Sequence, residues 1–321
     1  MKLKDKILAE LLIHKNEHIS GGTLASRYGV SRTAIWKVIE QLKADGCNIN
    51  AVTNRGYRLL EMPDLFCQPY LEELLKDSSM DWSIQYYEKV DSTNRIAKEL
   101  AGHGAPAGTL IVADEQEGGK GRMGRSFYSP PGGLYMSMIL RPDLPLSDMM
   151  AVTAAVASAV HYALASFGIQ TQIKWVNDLY LNGRKLCGIL TEGSFNAELL
   201  KMDYIVIGIG LNMRHDPNVP EMLVPILTDL ESECGTFPQR CELIAEILKY
   251  LTRLIDDIGE RSFLPIYTKN SYTIGKKVRV QGKNGLCTAL AVGYADDAGL
   301  IVEHEDGQRE VIRTGSAEIL L

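Results

Sequence analysis

No Cys-x-x-Cys pair occurs in the 321 residues, and no Cys/His set has zinc-finger spacing. That argues against a structural zinc module. Cys47, Cys67, Cys187, Cys234, Cys241 and Cys287 are too scattered for a disulfide scaffold. They read as free thiols of a reducing cytoplasm. Internal repeats and low-complexity runs are also missing, which excludes solenoid and collagenous chains. The opening MKLKDKILAELLIHKN is charged throughout and lacks the apolar core of a signal peptide. The longest apolar stretch, Met149–Phe167, is rich in alanine and broken by Thr153, Ser158, His161 and Ser166. It reads as a buried, closely packed helix, so no membrane association is expected.

What is present is an ordinary globular balance. Apolar residues make up 45% and charged residues 23%, enough to form a core and too apolar for disorder. The length suits two or three domains of roughly 100 to 200 residues each. Charge is uneven. Residues 1–62 carry 10 of the 34 Lys+Arg against 6 of the 40 Asp+Glu, leaving 24 against 34 in the remainder. A basic head on an acidic body suggests partners of different charge.

Residues 1–62 read as short helices and a hairpin. Ile7, Leu8, Leu11 and Leu12 form one apolar face, and Thr23–Tyr28 is a short helix closed by Gly29. Ser31 caps a helix whose Ile35, Val38, Ile39 and Leu42 recur at i, i+3, i+4 and i+7. Arg32, Thr33, Trp36 and Lys37 lie off that face. Ile49–Thr53 and Tyr57–Leu60 flank Asn54-Arg55-Gly56, a hairpin signature. This order is that of a winged helix-turn-helix, with the polar wall free to enter a major groove and Lys37 and Arg55 able to meet phosphates. A helical dimerisation or lid domain would share the pattern.

Met62-Pro63-Asp64 marks a boundary, since proline stops the strand. Beyond it, strands are expected at 82–87, 109–114, 134–140, 172–175, 178–181, 186–191 and 204–209. Helices are expected at 94–101, 147–167 and 240–258. Strands adjacent in sequence, with few helices between, imply α+β with a mixed sheet. From about residue 271, hairpin turns at Asn284-Gly285 and Asp306-Gly307 and a bend at Ala298-Gly299 divide five short strands into a small SH3-like barrel.

The stretch Gly118-Gly119-Lys120-Gly121-Arg122-Met123-Gly124-Arg125 follows a strand. It matches the dinucleotide fingerprint literally and a P-loop nearly. Each of those motifs must open a helix whose N-terminus holds phosphates. Here Pro130-Pro131 and another strand follow instead. What remains is a glycine loop with three cations, suited to ordering around an anion; a solvated basic loop is the alternative. Asp91-Ser92-Thr93-Asn94 joins a strand to a helix, where capping needs only one of the four. Lys174-Trp175-Val176-Asn177-Asp178 carries a cation, an amide and a carboxylate between strands. Lys185 opens the apolar run GRKLCGIL, which is costly unless an anion meets it. Gly208-Ile209-Gly210-Leu211-Asn212-Met213 ends a strand in glycines.

In combination, DSTN, GKGRMGR, KWVND, GRKLCGIL and GIGLNM resemble the bifunctional biotin protein ligases that also repress biotin operons. The resemblance covers the whole chain in order. It implies a winged helix-turn-helix over 1–62, a catalytic domain over 63–270 and an SH3-like barrel over 271–321. That catalytic fold is shared with lipoate ligases and related to class II aminoacyl-tRNA synthetases. The implied reaction joins biotin and ATP, with Mg2+, into biotinyl-5′-AMP. Biotin then passes to a lysine of a biotin carboxyl carrier protein. Biotin contacts are implied for Ser92, Thr93, Asn94, Gln116, Lys120, Gly121, Arg122 and Lys185. ATP or adenylate contacts are implied for Arg122, Arg125, Lys174, Asn177, Asp178 and Asn212. Lys185, Arg122 and Asp178 carry the catalytic roles, with no metal site built from protein alone. The head implies an adenylate-favoured homodimer on operator DNA, read by Arg32, Thr33, Trp36, Lys37 and Arg55. Val176 stands where the family commonly has proline, and without a fixed φ a looser Asn177-Asp178 is expected. Lys120 and Met123 stand where arginines are common. A lipoate-type ligase and a non-catalytic ligand-sensing regulator are the competing readings.

Overall fold

A computed structural model describes residues 2–196, 201–283 and 285–320. The chain packs as two compact units, residues 1–78 with 238–245 and residues 79–237 with 246–321.

The first unit begins with α1 (Leu3–Ile13), α2 (Gly21–Tyr28) and α3 (Arg32–Ala44). Ile7, Leu8, Leu11 and Leu12 of α1 are buried, as are Ile35, Ile39 and Leu42 of α3, so the expected apolar faces make the core. Ser20 and Ser31 accept N-cap bonds from Thr23 N and Ala34 N, and Gly29 closes α2 at φ 65°. An antiparallel hairpin follows, β1 (Asn48–Val52) with β2 (Gly56–Glu61), Val52 opposite Gly56. Gly56 has φ 107°, and a Cβ there would collide with the Ile19 carbonyl, which holds Tyr57 N at 2.9 Å. The short helix α4 (Gln68–Leu74) completes the element order of this unit's N-terminal segment.

In the second unit, β3 (Ser83–Tyr87), α5 (Thr93–Gly102), β4 (Thr109–Ala113) and β5 (Leu134–Leu140) lead to the long helix α6 (Met149–Ser166). Then come β6 (Gln172–Lys174), β7 (Asp178–Leu181), β8 (Arg184–Asn196) and β9 (Lys201–Leu211). These strands form one sheet in the order β3-β4-β5-β9-β8-β7-β6, parallel between β3 and β4 and antiparallel elsewhere. It is the mixed sheet expected. β8 runs past the expected 186–191 because it stays paired with β9 after its apolar run ends at Thr191-Glu192.

Helix α6 would satisfy the length and composition of a membrane span, but 72% of it is buried inside the protein. Its polar groups are paired within the fold. Thr153 Oγ1 donates to Met149 O, Ser158 Oγ donates to Ala154 O, and His161 Nδ1 lies 3.0 Å from Thr171 Oγ1. Burial pushes the His161 imidazole below its ordinary pKa, so it packs as a neutral ring.

Helices α7 (Leu230–Cys234), α8 (Arg240–Asp256) and α9 (Leu264–Lys269) precede the last strands. Those are β10 (Lys277–Gly282), β11 (Gly285–Tyr294), β12 (Leu300–Glu303), β13 (Arg309–Ile312) and β14 (Glu318–Ile319), antiparallel in the order β13-β12-β11-β10-β14. β10 also touches β13, which fits a barrel. Ala298 and Gly307 take positive φ at two of the expected turns. The third, at Asn284-Gly285, includes Asn284, which lies outside the described residues.

Within the first unit, Asp64 meets Arg240 three times. Arg240 Nε lies 2.7 Å from Oδ2, Arg240 N donates to Oδ1 at 3.0 Å, and Nη2 donates to Asp64 O at 3.0 Å. The side chains are 2% and 6% exposed. Removing one partner of such a pair strands a buried charge. Asp64→Ala is expected to cost about 3–5 kcal/mol, read as a lower urea midpoint of the first unit's transition with Trp36 fluorescence as probe.

Candidate active site

At the sheet centre, Ser137 of β5 pairs with Gly208 of β9, and Gly208 pairs with Leu190 of β8. The start of α5 lies on this point. A Cβ on Gly208 would collide with Asn94 Oδ1, so glycine is what lets the helix approach. Ser92, Thr93 and Asn94 are 3%, 3% and 6% exposed, and Ser92 makes no cap bond. Simple capping does not account for the segment. Its bonds run inward. Thr93 N and Oγ1 both donate to Gln116 Oε1, at 2.9 and 3.0 Å, and Gln116 Nε2 donates to Ser129 Oγ at 3.0 Å. Asn94 Nδ2 donates to Glu192 Oε2 at 2.9 Å, and Lys98 Nζ donates to Glu192 Oε1 at 2.7 Å. Burial would raise the Glu192 carboxyl, but those two donors hold it below its ordinary value.

Above this floor runs the glycine loop. It is tied at both ends, by Gly118 N to Asp91 O at 2.8 Å and by Phe127 N to Gly119 O at 2.9 Å. A single 3-10 turn at Arg122–Gly124 takes the place of a helix, so the phosphate motifs fail in space as they do in sequence. Met123 is 73% exposed at φ 58°. Arg122 turns inward, with Nη1 3.4 Å from Asn177 Oδ1. Burial pushes its guanidinium down, against the pull of Asp178. Phe127 then lies where Gly188 and Gly210 leave room; a Cβ at Gly188 would stand 2.7 Å from its ring.

Lys185 does meet an anion. Its Nζ lies 2.7 Å from Asp178 Oδ1, both side chains about one-fifth exposed at 22% and 20%, and 5.6 Å from the centre of the Phe127 ring. Lys174 Nζ donates to Tyr180 Oη at 3.2 Å. Val176 is buried, and its carbonyl accepts from Tyr267 Oη at 3.0 Å. Asn177 Nδ2 donates to Ile189 O at 2.7 Å, and Asn177 O accepts from Ile189 N at 2.9 Å. Tertiary hydrogen bonds hold the segment where a proline ring would have fixed it through φ.

These groups share one cavity of about 390 Å³. Ser92, Thr93, Asn94 and Gln116 line it, as do Lys120, Gly121, Arg122 and Arg125 of the loop and Lys174, Asn177, Asp178 and Lys185. Asn212 does not line it. Its Nδ2 donates to Thr228 O, and it borders a second cavity of about 150 Å³ beside Arg184 and Tyr135. Residues missed from the sequence also line the main cavity: Phe127 and the C-terminal Gly315, Ser316, Ala317 and Glu318. The only signal for the latter was the turn-forming Gly315-Ser316. Among the described residues, no group of three or more His, Cys, Asp or Glu could hold a metal ion. In the first unit, Arg32, Thr33, Trp36 and Lys37 are exposed on α3, and Arg55 is exposed at the hairpin tip.

Residues 86–212 match the biotin/lipoate A/B protein ligase family, and residues 4–58 match an HTH domain. The chain is 38% identical to the bifunctional ligase/repressor BirA of Bacillus subtilis over 302 residues, 92% of each chain. This chain belongs to the biotin/lipoate protein ligase family. It is 32% identical to the bifunctional ligase/repressor BirA of Escherichia coli over 260 residues, 80% of this chain and 78% of that one. Among solved structures, it is similar to the biotin protein ligase from Aquifex aeolicus in complex with biotin and ATP. The TM-score is 0.62 at 28% identity, covering 74% of this chain and 98% of that one.

For a ligase-family site built on glycine strands, an added methyl group is disruptive. A Cβ at Gly210 collides with the Phe127 ring. Gly210→Ala is expected to cost about 1–3 kcal/mol through overpacking, seen as a lower denaturant midpoint at unchanged m-value.

Proposed function

We propose that this chain is an ATP-dependent biotin protein ligase that is also an adenylate-responsive repressor of biotin genes. The observation that carries the reading is the single cavity holding both a buried polar cluster and a basic loop. Ser92, Thr93, Asn94 and Gln116 offer donors and acceptors to a compact polar ring, the biotin ureido group. Lys120, Gly121, Arg122 and Lys185 stand where the biotin carboxylate and the phosphates meet. Arg125, Lys174, Asn177 and Asp178 are assigned to ATP and the adenylate. Asn212, expected at the adenylate, borders a separate cavity with its side chain bonded to Thr228 O, and no adenylate contact is assigned to it.

The chemistry follows from charge. The biotin carboxylate attacks the α-phosphorus of ATP, a P–O bond forms, and pyrophosphate leaves. Two anions must be brought into line, and their repulsion must be cancelled before proximity helps. Arg122, Lys120 and Lys185 supply that cancellation. Mg2+ enters as the cation of the Mg-ATP substrate and offsets the charge of pyrophosphate. Binding of the anions offers Lys185 a partner other than Asp178, which leaves that carboxylate free. In the second step the carrier protein's lysine amine attacks the biotinyl carbonyl and AMP leaves. We assign Asp178 the proton released by that amine. A loop closing over the mixed anhydride keeps water away from it.

We assign 1–62 to DNA binding, 63–270 to catalysis and 271–321 to an SH3-like barrel that contributes Gly315–Glu318 to the site. Arg32, Thr33, Trp36, Lys37 and Arg55 meet operator DNA, Lys37 and Arg55 at phosphates. A homodimer favoured by bound adenylate would present two such heads, linking DNA affinity to biotin through differential affinity for the dimer. The free thiols support a reducing, cytoplasmic setting.

The test is formation of biotinyl-AMP from biotin and Mg-ATP, detected by mass, with lipoate in parallel. Product from biotin alone is expected; product from lipoate alone would overturn the substrate. Lys185→Ala should slow adenylate formation by roughly a hundredfold or more, in single-turnover assays. For the head, Lys37→Ala should weaken operator binding across sequences and lower the salt slope by about 1. Unchanged affinity and slope would remove α3 from the DNA interface.

A further inference from the structure

Four oxygens stand in a row beneath the cavity. Ser137 Oγ lies 2.6 Å from Asn94 Oδ1 and 2.7 Å from Thr93 Oγ1, which in turn lies 3.0 Å from Gln116 Oε1. Both ends of the row are amide carbonyl oxygens, which only accept. Their orientation is fixed from outside. At one end Thr93 N–H donates to Gln116 Oε1. At the other, Asn94 Nδ2 donates to Glu192 Oε2 at 2.9 Å, with a weaker approach to Leu190 O at 3.4 Å. An ionised carboxylate has no proton to give, so Asn94 Oδ1 is turned toward Ser137. Lys98 and Asn94 keep Glu192 ionised.

The protons can then be counted. The row contains three short oxygen–oxygen contacts but two hydroxyl protons, one from Ser137 and one from Thr93. Ser137 is fully buried, so solvent does not supply a third. With Ser137 donating to Asn94 and Thr93 donating to Gln116 Oε1, Thr93 Oγ1 accepts from neither neighbour and faces the cavity one donor short. Turning the Asn94 amide over would supply the missing proton from Nδ2. It would also set Oδ1 against the Glu192 carboxylate, and that repulsion forbids it.

We propose that Glu192 is a positioning residue for substrate selection: by fixing the Asn94 amide it leaves the Thr93–Gln116 end of the site one donor short, so the site selects a ring that brings an N–H. This rests on the biotin reading, in which a cyclic urea presents two N–H groups and one carbonyl. Glu192 does not line the cavity and acts through Asn94, Ser137 and Thr93. Glu192→Gln removes the constraint, because a carboxamide can donate to Asn94 and let its amide turn. The row then satisfies itself, and the ligand N–H loses its acceptor.

The experiment measures adenylate formation by wild type, Glu192→Gln and Glu192→Asp. Substrates are biotin and the two cyclic carbamates in which one or the other ureido N–H is replaced by oxygen. Glu192→Gln should raise the biotin KM by roughly ten- to a hundredfold, the weight of one buried polar group left unpaired. Its kcat and its KM for ATP should change by less than about threefold. Glu192→Asp, which keeps the charge, should recover most of the loss. Wild type should reject one of the carbamates strongly, and Glu192→Gln should accept biotin and that carbamate nearly alike. An unchanged biotin KM in Glu192→Gln, or an undiminished preference for biotin over both carbamates, overturns the proposal. So does an equal loss in the Asp and Gln variants with a lowered melting temperature, the mark of a merely structural role. Failure of wild type to make any biotin adenylate would instead overturn the reading of the site itself.

Discussion

The close approach of α5 to the sheet at Gly208 is the constraint on which the site depends. A side chain at that position would lift the helix off β9. Ser137 would then lose both Thr93 and Asn94, and Asn94 would lose Glu192. Because these residues come from α5, β5 and β8, the single missing Cβ is what lets three elements share one hydrogen-bond network. Such networks are strong only when fully connected, since the low dielectric that strengthens each bond also penalises each gap.

The basic side of the cavity is built on another principle. Lys185 and Asp178 neutralise one another at 2.7 Å, while Arg122 is turned inward with only a long approach to Asn177. The buried floor reads shape and donor pattern. The loop and the paired ions read charge. One cavity thus joins a buried, neutral polar floor to a charged rim, and a ligand must match both to fill it.

Much of this was legible from sequence where the cause is local. The Ser31 cap, the Ile35–Leu42 face and the Asn54–Gly56 turn each depend on residues a few positions apart, and each is found in place. The failure of the phosphate motifs was legible from Pro130-Pro131. Lys185 announced its need for an anion, though not that Asp178 would be the partner. What escaped was non-local. Glu192 follows an apolar strand and looks like an ordinary solvated charge; its meaning comes from Asn94, 98 positions earlier. The lining by Gly315–Glu318 depends on the C-terminal segment lying against the cavity, which no motif encodes. Asn212 sits next to a glycine strand end that does serve the cavity, yet its side chain turns to Thr228. At Val176 the local rule saw only a missing φ constraint, and the hydrogen bonds made by the segment come from residues distant in sequence.

Phe127 gives the glycine loop its fixed point. Its ring fills the space left by Gly188 and Gly210, and its amide closes back onto Gly119. The span between these ends is therefore anchored at both its feet. Met123, exposed at the tip of this span, can change without repacking the floor, whereas Arg122 turns inward toward Asn177. Positions 188, 208 and 210 have no such latitude. One cavity thus joins a loop whose exposed tip has latitude to a glycine floor that has none.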